Sequence, residues 1–360
     1  MTQAVPSSSV ARGTRTEIDS EFVLAVDIGG TKFAAGLVGA SGRVLAEERV
    51  ATPPGANVHT LWKTLTTLIE PLVANGPGAG VGVGCGGPMR WPEGVVSPLN
   101  MPGWRDFPLR QALAERFPGV PVRVHNDAIC LAAAEHWRGA GQGVADMLGM
   151  VVSTGVGGGL ILGDRLIDGA TGNAGHIGHI VVEPGGPECG CGGRGCLEAV
   201  SRGPALAAWA VDQGWIPGRA TDTAPAGLTP AEPGYTATGH PAAEPDYAET
   251  EKATGRQLAA DAAAGDEIAR RALTRAGRAL GVAIASATHL CDLDLVTVGG
   301  GLSQAGPLLF DPLEDALRAH ARMAFARRLR VVPAALGRHA GLIGAAALIL
   351  APEHYWTAPA

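Results

Sequence analysis

His179, Cys189, Cys191 and Cys196 fall within eighteen residues, in the run Gly178-His179-x9-Cys189-x-Cys191-x4-Cys196-Leu197-Glu198. One imidazole and three thiols at this spacing suit a closed tetrahedral zinc site. Only one residue separates Cys189 from Cys191, so those two cannot pair comfortably as a disulfide. Gly190, Gly192, Gly193 and Gly195 let the backbone turn tightly around a small ion. A redox or reactive-thiol loop is the alternative. With four protein ligands such a metal would be structural, since no coordination position stays open for catalysis. It would fix a loop that carries His179 and Glu198.

Three glycine turns form a second group. They are Asp27-Ile28-Gly29-Gly30-Thr31-Lys32, Ser153-Thr154-Gly155-Val156-Gly157-Gly158-Gly159 and Gly299-Gly300-Gly301-Leu302-Ser303. Glycine turns at strand ends present backbone N–H groups to anions. The Walker A pattern is absent, which disfavours a P-loop fold. Gly82-x-Gly84-x-x-Gly87 and Gly190-x-Gly192-x-x-Gly195 match the dinucleotide-binding pattern in form only. The first runs into Pro88 and the second lies among the cysteines, and neither opens a helix as that fold requires. Asp27 could hold Mg2+ near phosphates or hydrogen-bond its own turn, and the two further turns favour phosphate. Asn126 and Asp127 follow another strand. An Asn-Asp pair can grip and deprotonate a hydroxyl, yet Asp127 could equally cap a helix, and spacing leaves both open.

The elements that must position these residues follow from periodicity. Phe22–Ile28, Phe33–Val38 and Arg43–Val50 read as strands, the first two forming a hairpin around a glycine turn. Val58–Val73 has helical spacing, with Leu61, Leu65, Leu68, Ile69 and Leu72 on one face. Ala79–Cys85 and Val120–Val124 read as strands, Leu109–Phe117 as a short helix, and a further helix runs to about Trp137. Met147–Ser153 and Gly159–Leu162 repeat the hairpin around the second turn. Helices are expected near Gly203–Asp212 and over Ala262–Leu290, Pro312–Arg328 and Ala340–Leu350, with strands at Leu295–Val298 and Arg330–Val332. Residues 1–20 read as a disordered tail. Pro217–Glu249, with six prolines, reads as an exposed flexible insertion. Two similar α/β halves are implied.

At 360 residues, 46% hydrophobic and 17% charged, the chain can bury two cores. Its net charge of -6 argues against a nucleic-acid partner. The scattered Cys85, Cys130 and Cys291 fit a reducing compartment. Neither a signal-peptide core nor an apolar run long enough to span a membrane is present. A cytoplasmic location is therefore expected.

In that order, Asp27–Lys32, Asn126-Asp127-Ala128, Ser153–Gly159, the Gly178-His179 to Cys196-Leu197-Glu198 run and Gly299–Gly301 resemble the ROK family of sugar kinases and repressors. The resemblance covers roughly residues 22–350, and its most specific part is the cysteine run. It implies an α/β, actin-like ATPase fold with two RNase-H-like lobes around a cleft. The lobes would be 21–125, to which the helix 340–350 returns, and 126–339, which carries the zinc loop 176–198 and the insertion 217–249. ATP, Mg2+, structural Zn2+, a small-molecule sugar and a homodimer are implied with it.

By that resemblance Asp27, Gly29, Gly30, Thr31 and Lys32 are the first phosphate loop, Thr154, Gly155 and Gly157 the second, and Gly299, Gly300 and Gly301 the adenosine-side turn. Asn126 and Asp127 are the sugar-binding pair, with Asp127 the general base. His179 turns one ring nitrogen to zinc and the other to the sugar, and Glu198 accepts sugar hydroxyls. Gly87 and Asn100 fall where loop contacts to the sugar belong. The implied reaction is phosphoryl transfer from MgATP to a C6 hydroxyl.

One departure bears on the sugar. The family usually has Glu-x-Gly-His, and here the run is His176-Ile177-Gly178-His179. Histidine can donate where carboxylate only accepts, which suits an acetamido carbonyl. The change resembles bacterial N-acetylmannosamine kinases and favours an N-acetylhexosamine, with glucose the alternative. The family's repressors carry an N-terminal helix-turn-helix domain, whereas the residues before Phe22 are few and polar.

Overall fold

The computed structural model describes residues 21–223 and 254–357. The tail 1–20 and the part of the insertion from 224 to 249 lie outside the described residues. The chain forms two compact units. One takes in residues up to Gln142, then Asp164–Ala174 and the chain from Arg338 onward; the other takes in Gly143–Gly163 and Gly175–Gly337. Where the sequence suggested a break before Asn126, the first unit runs on through the helix Asp127–Arg138, whose Cys130 packs beneath the strand Val81–Cys85.

In the first unit the strands run in the order Val44–Ala51, Lys32–Gly39, Phe22–Ile28, Val81–Cys85, Val122–Asn126. The first three pair antiparallel and the last two join in parallel. Alternation along Phe22–Ile28 sends Leu24, Val26 and Ile28 to a core shared with Leu61, Leu65, Leu109 and Leu113. Val23 and Ala25 face the opposite side, against Leu342, Ala345, Ala346 and Ile349.

That opposite face is built of small residues. A methyl placed on Gly82 would lie 1.9 Å from the carbonyl oxygen of Ala345, and one on Gly344 1.7 Å from that of Cys130. The apolar helix Ala340–Leu350 is thus a core helix seated close on the sheet and on its neighbour Asp127–Arg138. Among the described residues no helix is long and apolar enough to cross a membrane.

The second unit repeats the plan. Met147–Val152 pairs antiparallel with Val156–Leu162 and parallel with Leu295–Gly299, which pairs parallel with Arg330–Pro333. The long helix Glu267–Cys291 is capped by Asp266, whose side chain accepts from Ala269 N–H at 2.8 Å. Its Gly277 and Gly281 let the helix Pro307–His320 approach within 2.5 and 2.4 Å of their missing methyls.

Some boundaries differ from expectation for local reasons. The helix expected over Val58–Val73 is α-helical only to Ile69 and continues as a 3-10 turn over Glu70–Val73, because Pro71 has no N–H to give the preceding turn. The helix expected over Ala262–Leu290 is two, Gly255–Ala263 and Glu267–Cys291, broken at Gly265 with φ +106°. The helix expected from Pro312 to Arg328 starts at Pro307 and ends at His320, with Pro312 inside it.

Candidate active site

Strand register gathers the first unit's polar residues at one edge. Ile28 pairs with Cys85, and Cys85 with Asn126, so three parallel strands end side by side. Ligands of open α/β sheets sit at such carboxyl edges. Asp27, Gly86-Gly87 and Asn126-Asp127 all lie here.

Asp27 is half-buried, and its pKa is raised to about 6, by burial first and by the charge of Asp127 second, against the pull of Lys32 and Arg49. The two carboxylates therefore feel one another. A methyl on Gly341, in the first turn of the helix Ala340–Leu350, would lie 2.5 Å from Asp27 Oδ2, and one on Gly86 3.9 Å from Asp127 Oδ2. A pair of carboxylates at one sheet edge suits a hard dication.

The helix cap is Asn126. Its Oδ1 accepts from Ala128 N–H at 3.0 Å, and Asp127 is the helix's first residue. The amide nitrogen of Asn126 is turned toward Gly87, 3.3 Å from where a methyl would stand. The first glycine turn is closed by Gly29 N–H donating to Lys32 C=O at 3.0 Å and by Thr52 Oγ1 donating to Gly29 C=O at 2.8 Å. Gly30, Thr31 and Lys32 are exposed. Asn100 rests on this turn, its Cβ 2.5 Å from a methyl built on Gly30.

In the second unit the other two turns lie together. Gly300 has φ +90°, and a methyl there would meet Val152 C=O at 2.3 Å; Gly301 stands beside Ser153 Oγ. Ser153 N–H donates to Gly155 C=O at 2.9 Å, leaving Thr154 exposed at the tip, with Gly157 on the outgoing strand. Gly299 ends its strand in the core, and Ser303 Oγ donates to Gly300 C=O at 2.8 Å.

The cysteine turn is in this unit too. The ligand atoms of His179, Cys189, Cys191 and Cys196 all lie within 4.8 Å of one another. Cys191 Sγ is 3.7 Å from Cys196 Sγ, and Cys189 Sγ is 3.8 Å from His179 Nδ1. Around zinc with Zn–S of ~2.3 Å, a tetrahedral edge is ~3.8 Å, so the donor set fits that ion. Gly195, with φ +69°, admits no methyl, since one would lie 1.6 Å from Glu183 C=O. Burial, then the thiols of Cys191 and Cys189, push Cys196 up to about 12, while the Gly193 N–H followed by Cys189 lowers Cys191. A dication would hold such a cluster as thiolates.

Around this turn lie the remaining polar residues. His176 stacks on His179 with ring centroids 6.3 Å apart and planes at 19°. Glu198 follows Cys196 at the start of the short helix Leu197–Ser201, and its Oε2 accepts Val156 N–H at 2.9 Å. Thus the first unit holds Asp27, the first turn, Asn100, Asn126 and Asp127. The second holds both other turns, His176, Glu198 and the metal ligands.

Gly341 escaped the sequence reading. It sits in an alanine-rich helix far from any polar motif, and its three-residue spacing from Gly344 was the available signal. The Glu198–Val156 bond likewise joins residues forty-two apart with no local pattern.

A sequence model of the ROK family matches residues 23–351. A glucokinase from Thermotoga maritima is 33% identical over 331 residues, 91% of this chain and 96% of that one. An N-acetylmannosamine kinase from Shigella flexneri is 34% identical over 329 residues, 91% and 97% of the two chains. A ROK family glucokinase from Streptomyces griseus, solved with glucose and AMPPNP, superposes with a TM-score of 0.72 at 32% identity, covering 91% and 99%. The α/β, actin-like fold expected from sequence is the fold found.

Proposed function

The chain belongs to the ROK family, and we propose that it is an ATP-dependent sugar kinase acting on the C6 hydroxyl of an N-acetylhexosamine, with N-acetylmannosamine favoured over glucose. One observation carries the kinase chemistry: Asp27, on the strand Phe22–Ile28, and Asp127, just past the strand Val122–Asn126, lie at one sheet edge with the strand Val81–Cys85 between them, close enough that the charge of Asp127 raises the pKa of Asp27. An edge with two coupled carboxylates and an exposed N–H-rich turn suits phosphoryl transfer, which depends mainly on positioning and charge.

In this reading Asp127 accepts the C6 hydroxyl proton as that oxygen bonds to the γ-phosphorus and the bond to the β,γ-bridging oxygen breaks, releasing ADP. A weak base suffices, because the transition state is loose. The Asn126 amide orients the sugar. The turns at Gly29–Lys32, Thr154–Gly157 and Gly299–Gly301 hold phosphates and adenosine. Bound at Asp27, Mg2+ would supply positive charge against the phosphates. Zinc at His179, Cys189, Cys191 and Cys196 would fix the loop that presents His176, His179 and Glu198, with Nδ1 of His179 toward the metal and Nε2 left for the sugar.

Support for the acetamido sugar is His176. Stacked on His179, it offers a donor where the family's usual glutamate would only accept. Comparable identity to a glucokinase and to an N-acetylmannosamine kinase keeps glucose as the second reading. A coupled ADP-release assay with N-acetylmannosamine, N-acetylglucosamine and glucose side by side tests this. The highest kcat/KM is expected for N-acetylmannosamine; a tenfold preference for glucose would overturn the substrate assignment, and no ADP release with any sugar would overturn the kinase reading.

A further inference from the structure

Beneath the Asn126-Asp127 step lies a buried pair that phosphoryl transfer does not itself use. His125 is fully buried and Asp168 is 4% exposed. His125 Nε2 is 2.7 Å from Asp168 Oδ1, and Asn126 backbone N–H donates to His125 Nδ1 at 2.8 Å. We propose that His125 and Asp168 are positioning residues that set the Asn126-Asp127 step for sugar binding.

Hydrogen-bond chemistry fixes the protonation pattern. A backbone N–H can only donate, so Nδ1 must offer a lone pair, and the ring proton belongs on Nε2, facing Asp168. A proton on Nδ1 would set two N–H groups against each other. Asp168 is held in turn, its Oδ2 accepting from the Thr357 hydroxyl and its backbone C=O accepting from Ala174 N–H at 3.1 Å. Trp91 stacks on the imidazole at 5.7 Å and 29°, and Trp356 meets it edge-on at 6.4 Å. The ring has no room to swing.

Topology explains why such a clamp is placed here. Among the described residues Val122–Asn126 is the last strand of its sheet, so none of them forms a strand on the outer side of its backbone. The imidazole satisfies the final N–H of that edge. Fixing the backbone at Asn126 sets two things: its Oδ1 is committed to the cap at Ala128, which leaves the amide nitrogen as a donor, and Asp127 enters the first helical position. A donor held this way suits a sugar hydroxyl oxygen, so the proposal rests on the sugar-kinase reading above.

Because the imidazole is neutral, the clamp needs an acceptor at residue 168 rather than a charge. Asp168→Ala should raise the sugar KM about tenfold, the scale of one buried hydrogen bond, with ATP KM changed less than twofold. Asp168→Asn, which keeps an acceptor, should recover most of that loss. Nitrogen-15 NMR of the histidine-labelled full chain should show His125 protonated at Nε2 alone. A lower melting temperature with both KM values unchanged in Asp168→Ala would reduce the pair to packing and overturn the proposal, as would an Nδ1-protonated His125. Should Asp168→Ala fail to fold, Thr357→Val and the NMR experiment decide. If the wild-type chain phosphorylates none of the sugars, the kinase reading fails while the NMR result still reports on the clamp.

Discussion

Glu198 Oε2 accepts the backbone N–H of Val156 at 2.9 Å, joining the helix that follows the cysteine turn to the second glycine turn. A methyl on Gly155 would lie 2.9 Å from the same oxygen, so the turn closes tightly over the carboxylate. One side chain, assigned by resemblance to the sugar, thus also braces a turn assigned to the nucleotide. Glu198→Ala should raise the KM of both substrates by about tenfold each, since a bond to a charged acceptor contributes roughly 1.5–3 kcal/mol. Two-substrate kinetics check this. A rise confined to the sugar would mean the turn does not depend on the bond.

Asp27 should make the protein less stable as pH rises. Its pKa in the folded chain is about 6 against an ordinary 3.8, so between those values the folded state binds more protons than the unfolded one. Stability then falls across that window and stays lowered above it. At ~1.4 kcal/mol per pKa unit the penalty at pH 8 approaches ~3 kcal/mol as an upper bound. Asp27→Asn should recover part of it and flatten the slope while abolishing phosphoryl transfer. Urea unfolding from pH 4 to 8 measures both.

Gly341 should be intolerant of any side chain. A methyl there would stand 2.5 Å from Asp27 Oδ2, and the carboxylate would have to move. Displacement of about 1 Å in such a group costs about a hundredfold in rate. Gly341→Ala should therefore lower kcat by about that factor, with unfolding stability changed by ~1–3 kcal/mol. Wild-type kcat would show that Asp27 tolerates displacement.

Metal removal should act on the sugar rather than on the chemical step. The wild type should hold about one zinc per chain and Cys191→Ser less, with a raised sugar KM, because His179 and Glu198 flank the cysteine turn. Elemental analysis beside kinetics checks it. Equal zinc content in mutant and wild type would remove Cys191 from the ligand set.

Much of this was legible in sequence because the signals were local. The cysteine run, the three glycine turns and the alternation of Phe22–Ile28 each lie within a few residues, and the order of the motifs carried the family resemblance that implied the fold class. The helix Ala340–Leu350 was found to the residue, being apolar throughout. What escaped was set by distant neighbours or by single residues acting against the pattern. Gly265 broke a helix whose spacing read as continuous, and Pro307 rather than Pro312 opened the next. The approach of Gly341 to Asp27, the Glu198–Val156 bond and the Asp168–His125 pair link residues far apart in the chain. No sequence window contains them.

The most direct test is turnover of Asp127→Asn against the wild type, with N-acetylmannosamine and glucose as acceptors. General-base assistance contributes about 10²–10⁴-fold, so kcat should fall by about a thousandfold. The melting temperature should change little, because Asn126 retains the cap. An Asn variant that turns over at close to the wild-type rate would contradict the account, since the proton would then leave by a route that does not involve Asp127.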